Sequence, residues 1–192
     1  MDRKKIVVYG ASSPRVEKVF SDAAYLLGSL MATSGRTIIT GGGVSGLMAA
    51  VEEGSLRSGG YVIGIIPKFM VENGWMYEGL SEVIRTDDMH QRKELMAGMA
   101  DAVVALPGGT GTLEELLEII TWKMLGLFSK PVVILNTDGY YDPLLLLLDR
   151  AVERNFMNKA FLSAWEVAMT PEQVMEIIES SPEWVCPVDK YN

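Results

Sequence analysis

Cysteine and histidine are nearly absent: one of each, Cys186 and His90, in 192 residues. A single thiol excludes an internal disulfide framework, and one cysteine with one histidine is too few for a structural zinc site. Long apolar runs are missing too, since the leucine stretch from Leu144 to Leu148 is bracketed by Asp142 and Asp149, far short of a bilayer span. The start, Met-Asp-Arg-Lys-Lys and then Ile6 to Tyr9 before Gly10, has too short an apolar segment for a signal-peptide core. A cytoplasmic protein with no membrane partner is expected. Positive charge is in deficit: 17 Lys and Arg against 25 Asp and Glu give a formal net charge of −8. That balance argues against a nucleic-acid surface and for a small anionic ligand in a local pocket.

What the chain has instead is alternation. With 48% hydrophobic and 22% charged residues it suits a folded globule, and 192 residues without a linker-like stretch suit one domain, residues 1–192. Apolar runs at Ile6 to Tyr9, Thr37 to Thr40, Tyr61 to Ile66, Ala102 to Leu106 and Pro131 to Leu135 read as strands, with shorter ones at Val83 to Arg85 and Val167 to Met169. Helices are predicted at about 16–34, 46–58, 89–99, 112–126, 142–154 and 171–180, with Asp88 a candidate N-cap and Pro171 at a first helical position. Residues 68–81 read as irregular and mobile. The order predicts an α/β fold: a three-layer, Rossmann-like, doubly wound sheet, mostly parallel, of about seven strands with helices on both faces. Ligands then sit at the carboxyl ends of the strands.

Two glycine-rich turns fall at such ends. In Pro107-Gly-Gly-Thr-Gly-Thr112, Gly108, Gly109 and Gly111 offer backbone freedom and Thr112 starts a helix, so free N–H groups and the helix dipole favour a phosphate or carboxylate. Thr110 and Thr112 can add hydroxyl donors. Residues 41–46 match Gly-x-Gly-x-x-Gly, but after the second strand, and no acidic residue follows the next strand, so dinucleotide binding is disfavoured. A second wall of the ligand cleft is the favoured role. Neither turn contains Gly-Lys-Ser/Thr, which disfavours a Walker-type nucleoside triphosphatase.

Helical phasing singles out Arg92, which falls among Met89, Leu95, Met96 and Met99. An arginine there must snorkel, pair with a carboxylate or face a ligand. His90 falls on the opposite face and reads as solvated. In the helix after Thr112, the expected sheet-facing stripe is Leu113, Leu116, Leu117, Ile120, Met124 and Leu127, with Thr112, Glu115, Ile119 and Trp122 on the other side. Ile119 and Trp122 would then be exposed unless a partner subunit covered them. Glu114 and Glu118 read as solvated acids near the helix start. Glu115 would hang beside the bound anion without binding it, which suggests chemistry on the molecule that carries the phosphate.

Pro107-Gly-Gly-Thr-Gly-Thr-Leu-Glu-Glu115 resembles the Pro-Gly-Gly-x-Gly-Thr-x-x-Glu signature of the LOG ("Lonely Guy") family, also labelled lysine decarboxylase-like. Met89-His-Gln-Arg-Lys93 and Gly41-Gly-Gly-x-x-Gly-Leu-Met48 are similar to its two other marks, and the likeness runs from Ile6 to about Gln173. The turn Gly10-Ala-Ser-Ser-Pro-Arg15 looks shorter than usual. The resemblance implies a phosphoribohydrolase on nucleoside 5′-monophosphates, typically cytokinin riboside 5′-monophosphates, that releases free base and ribose 5-phosphate. It also implies a homodimer or larger assembly that uses no cofactor, and no metal site is expected. Arg92 and Glu115 match the family's catalytic pair. Gly42, Gly43, Met89, Lys93, Gly108, Gly109, Thr110, Gly111, Thr112 and Glu114 match its substrate contacts, and Glu72 is a further candidate for the base or ribose. A decarboxylase would hold pyridoxal phosphate on a lysine, and only Lys93, by adjacency, is a candidate. The alternative is a non-catalytic nucleotide-binding or molybdenum-cofactor carrier protein, which needs the phosphate loop but not Arg92 with Glu115.

Overall fold

Runs of Val, Ile and Ala place seven short strands side by side, all parallel, in the computed structural model, which describes residues 4–186. They are β1 (Lys5–Tyr9), β2 (Thr37–Thr40), β3 (Tyr61–Pro67), β4 (Glu82–Thr86), β5 (Ala102–Ala105), β6 (Val132–Leu135) and β7 (Glu166–Ala168), in the order β4-β3-β2-β1-β5-β6-β7. The chain winds outward from β1 to β4 and then crosses to the other side of β1, so the order reverses between β1 and β5. At such a switch point the connecting loops diverge and leave a crevice beyond the strand ends.

Side chains alternate across the pleat and separate two cores. Ile6, Val8, Ile38, Val62, Val104 and Leu135 meet α1 (Lys18–Thr33), α2 (Gly46–Arg57) and α7 (Pro171–Ser180). Val7, Tyr9, Ile39, Ile65, Val103 and Ile134 meet α4 (Met89–Met99), α5 (Thr110–Met124) and α6 (Asp142–Glu153). Burial of each such side chain contributes roughly 1.5–3 kcal/mol. Strands covered on both faces explain why the runs read as continuously apolar.

Three expectations need correction. Residues 68–81 are not wholly irregular: α3 (Lys68–Glu72) forms between Pro67 and the Asn73-Gly74 stop, a stretch free of glycine and proline. Helix α5 begins at Thr110, not Thr112, and its buried face is rotated from the predicted stripe. Leu116, Ile119 and Ile120 are buried, whereas Leu117 and Leu127 are 38% and 70% exposed. Trp122 packs against the core as well. The phase differs because the apolar pattern keeps Glu115 off the buried face, yet that residue is 9% exposed, made tolerable there by a cation from α4. Ile119 and Trp122 therefore need no partner subunit to cover them.

Helices α1 and α2 touch backbone to backbone. A Cβ on Gly28 would lie 2.1 Å from the Val51 carbonyl oxygen, and one on Gly54 2.0 Å from that of Tyr25. Gly54→Ala should separate the helices and lower stability by about 1–3 kcal/mol, measured by urea unfolding, because the obstructing atom is backbone and cannot rotate away. A loss below a few tenths of a kcal/mol would contradict the close approach.

Candidate active site

The loops after β1 and β5, the start of α5 and the first turn of α4 enclose a cavity of about 390 Å³ at the switch point. That is within the range of small-molecule sites, about 300–1,000 Å³. The loops are tied together by Leu106 N–H to the Tyr9 carbonyl (2.8 Å) and Ala11 N–H to the Pro107 carbonyl (3.0 Å).

One wall is the N-terminus of α5. Its capping residue, Gly109, supplies no side-chain bond, and Leu113 N–H is bonded back to the Gly109 carbonyl. The N–H groups of Thr110, Gly111 and Thr112 precede that first helical bond, and all three residues line the cavity. Gly109 and Gly111 have open space where a Cβ would be, whereas a Cβ on Gly108 would strike Thr112 Oγ1 at 2.1 Å. None of the three has a positive φ. The glycines serve close approach and an open rim rather than a left-handed turn.

Opposite lies the ion pair. Arg92 Nη1 stands 2.9 Å from Glu115 Oε1, with the two side chains 7% and 10% exposed. Arg92 Nε donates to the Ile65 carbonyl at 3.1 Å. Behind it is Gly41, where a Cβ would lie 2.3 Å from Arg92 Nη2, so this turn admits the guanidinium only because residue 41 has no side chain. Burial raises the Glu115 carboxyl above its ordinary 4.5, while the charge and hydrogen bond of Arg92 pull it back down. Glu115 thus lines the cavity as a buried carboxyl whose pKa is raised.

The predicted residues divide. Met89, Arg92, Gly109, Thr110, Gly111, Thr112, Glu114 and Glu115 line this one cavity. Gly42, Gly43, Lys93 and Gly108 are not among its lining residues. Gly42 N–H is bonded to Thr40 Oγ1 (3.0 Å), and Gly43 pairs with Met76. Lys93 reaches Glu114 (2.5 Å) and Glu118 (3.1 Å), so those acids are not free solvated groups; burial disfavours the Lys93 charge, but the two carboxylates raise its pKa overall. Gly108 accepts from the Tyr140 hydroxyl (2.6 Å) and lines a neighbouring cavity of about 270 Å³. Glu72 is exposed on α3, outside the lining, and His90 is exposed. Sequence reasoning missed Ser12, Ser13 and Met70 as lining. The position of the serines after β1, beside the switch point, was the available signal. Among the described residues no three His, Cys, Asp or Glu side chains gather to hold a metal ion.

Fold and site define a Rossmann-like protein with a buried Arg–Glu pair in the same cavity as the open N-terminus of a helix. Residues 48–178 match the family described as "Possible lysine decarboxylase". The chain is 42% identical over 181 residues, 94% of this chain and 74% of the relative, to a probable cytokinin riboside 5′-monophosphate phosphoribohydrolase of Oryza sativa subsp. japonica. It is 41% identical over 181 residues, 94% of this chain and 83% of the relative, to a cytokinin riboside 5′-monophosphate phosphoribohydrolase of Arabidopsis thaliana. A molybdenum cofactor binding protein from Rippkaea orientalis has a similar structure, with TM-score 0.73 and 26% identity, over 94% of this chain and 98% of that one. The chain belongs to the LOG family, the group matched under the lysine decarboxylase description.

Arg92→Ala should leave Glu115 buried without its cation and cost about 3–5 kcal/mol at pH 7 in urea unfolding. The sign of the pH effect follows from a folded-state pKa raised further above the unfolded value: stability is retained at low pH, where both states bind the proton, and is lost as pH rises. The deficit of the variant should therefore shrink at about pH 5. An equal deficit at both pH values would show that Glu115 does not depend on this arginine.

Proposed function

We propose that the protein hydrolyses the N-glycosidic bond of nucleoside 5′-monophosphates, AMP or N6-substituted forms such as cytokinin riboside 5′-monophosphate, to free base and ribose 5-phosphate. The observation that carries this reading is the buried Arg92–Glu115 pair in the same cavity as the open N-terminus of α5. The curated relatives at 41% and 42% identity are named for this reaction.

The 5′-phosphate accepts hydrogen bonds from the N–H groups of residues 110–112, where the helix dipole adds favourable potential. Fixing that end sets the ribose over Glu115, one turn further along, so that positioning supplies much of the rate. As the bond from C1′ to the base nitrogen breaks, its electron pair leaves with the base and positive charge builds on the ribose, as in other glycosidic hydrolyses. The Glu115 carboxylate stabilises that charge and takes a proton from the water whose oxygen bonds to C1′, and that proton ends on the departing base nitrogen, so the base leaves neutral. Arg92 keeps Glu115 ionised against the pull of burial and orients the ligand. Met48, Met70 and Met89 give the cavity an adaptable apolar side for the base. This chemistry needs no metal or cofactor.

The same reading makes the enzyme a cytoplasmic homodimer with no nucleic-acid or membrane partner. No helix among the described residues is long and apolar enough to cross a membrane, and Leu146 and Leu147 of α6, 71% and 63% exposed, are apolar surface a second copy would cover. The carrier alternative has the likeness to the molybdenum cofactor binding protein behind it, but a carrier does not require a carboxylate held ionised beside the anion site.

Incubation with AMP and with its N6-isopentenyl analogue, followed by chromatography, should release free base, and Glu115→Gln should lower kcat by about 10²–10⁴-fold with nucleotide binding retained. Because burial raises the Glu115 carboxyl, the acidic limb of kcat/KM should lie above the ordinary carboxylate value of 4.5. No base from any nucleoside monophosphate, or a co-purifying pterin, would overturn the hydrolase reading.

A further inference from the structure

The glycine turn behind Arg92 is anchored from within the protein by a residue that the reaction does not use. Gly42 N–H donates to Thr40 Oγ1 at 3.0 Å, and the Thr40 hydroxyl donates to Glu52 Oε1 at 2.5 Å. Glu52, on α2, is 0% exposed, and its other oxygen, Oε2, is buried without a hydrogen-bond partner. A leucine would fill such a place without an orphaned oxygen, so packing does not explain a carboxyl group here.

Among the described residues no cation offsets it. The elements chiefly packed on α2 are α1, β2 and β3. On α1, Lys18 and Asp22 pair with each other at the surface and Tyr25 is 38% exposed. Strand β2 has no ionisable side chain, and Arg36 just before it pairs with Glu179. On β3 the only ionisable side chain is Tyr61, at the surface and bonded to Glu82. On α2 itself Glu53 and Arg57 pair with each other. Burial pushes the Glu52 carboxyl up to about 8, with the Thr40 hydrogen bond pulling the other way. The neutral acid is the resting form at neutral pH, and the ionised form is a buried charge without a partner.

The turn so anchored is the back wall of the guanidinium. Gly42 holds φ at +68°. Gly41 approaches so closely that an added Cβ would be 2.3 Å from Arg92 Nη2 and 3.2 Å from Cζ. A small displacement of this backbone therefore changes the space Arg92 occupies. We propose that Glu52 is a positioning residue for Arg92: through Thr40 it fixes the turn at residues 41–42 against the guanidinium, and loss of its proton, which leaves a buried charge without a partner, shifts that turn and with it the space Arg92 occupies. Its kinetic consequence rests on the hydrolase reading; its structural consequence does not.

Two readouts separate the claims. In amide NMR between about pH 6 and pH 9.5, the Gly42 N–H and the Arg92 Nε–H should shift together, with a midpoint near 8 set by Glu52, and both should stay flat in Glu52→Gln, the neutral isostere. Thr40→Ser should keep the coupled titration and Thr40→Val should abolish it at Gly42, a contrast that holds even if the glutamine variant does not fold. In kinetics, wild-type kcat should fall about tenfold per pH unit above that midpoint, while Glu52→Gln holds its neutral-pH kcat through the same range. A Gly42 amide silent to pH in the wild type, or an alkaline fall unchanged in Glu52→Gln, overturns the proposal. Coupled NMR titration without base release from any nucleoside monophosphate would support the role of Glu52 and sink the hydrolase reading alone.

Discussion

The constraint on which the rest depends is one ion pair, Arg92 to Glu115 at 2.9 Å, held almost out of water. Removing two charges from solvent costs several kcal/mol per ion, recovered only where geometry is good and the remaining polar atoms are bonded. Much of the local structure meets that demand. The Ile65 carbonyl takes the Arg92 Nε–H, Gly41 leaves room for the guanidinium, and α5 brings Glu115 to it one turn below an open helix end. A structural ion pair would be as well placed anywhere between the helices. This one faces a cavity whose other wall is a set of helix-terminal N–H groups, an arrangement that suits a phosphate-bearing ligand.

The sheet explains why these parts meet. Parallel strands all deliver their loops to one edge, and the reversal between β1 and β5 parts the loops that form the cavity. Lys93, next to Arg92 in sequence, acts outside the cavity. Its bonds to Glu114 and Glu118 fasten α4 to α5 and fix the spacing across which the ion pair forms. The turn at residues 41–43 supports from behind, with Thr40 and the buried Glu52 beneath it.

Much of this was legible in the chain. Continuous Val and Ile runs announced strands covered on both faces, and their alternation with helices announced the doubly wound sheet, because each run is dictated by its own local surroundings. Arg92 was legible as an anomaly on an apolar helix face. The phase of α5 was not, since Glu115 is buried only because an arginine from another helix meets it, a pairing that no single-helix pattern contains. Glu52 was not singled out either, since nothing in Val51-Glu52-Glu53 separates the two acids; only packing reveals that Glu53 is bonded to Arg57 while Glu52 is fully buried. The short helix α3 was invisible for another reason, since a five-residue helix depends on its setting more than on its own propensity.

The central claim is that one cavity holds the phosphate on the α5 N-terminus and presents the glycosidic carbon to Glu115. A crystal structure of Glu115→Gln with bound AMP tests it most directly. The account predicts phosphate oxygens accepting from the N–H groups of residues 110–112 and C1′ roughly 3–3.5 Å from the residue-115 side chain or from a water it holds. Phosphate bound elsewhere, such as the neighbouring cavity beside Arg15 and Tyr140, with C1′ remote from residue 115, would contradict it.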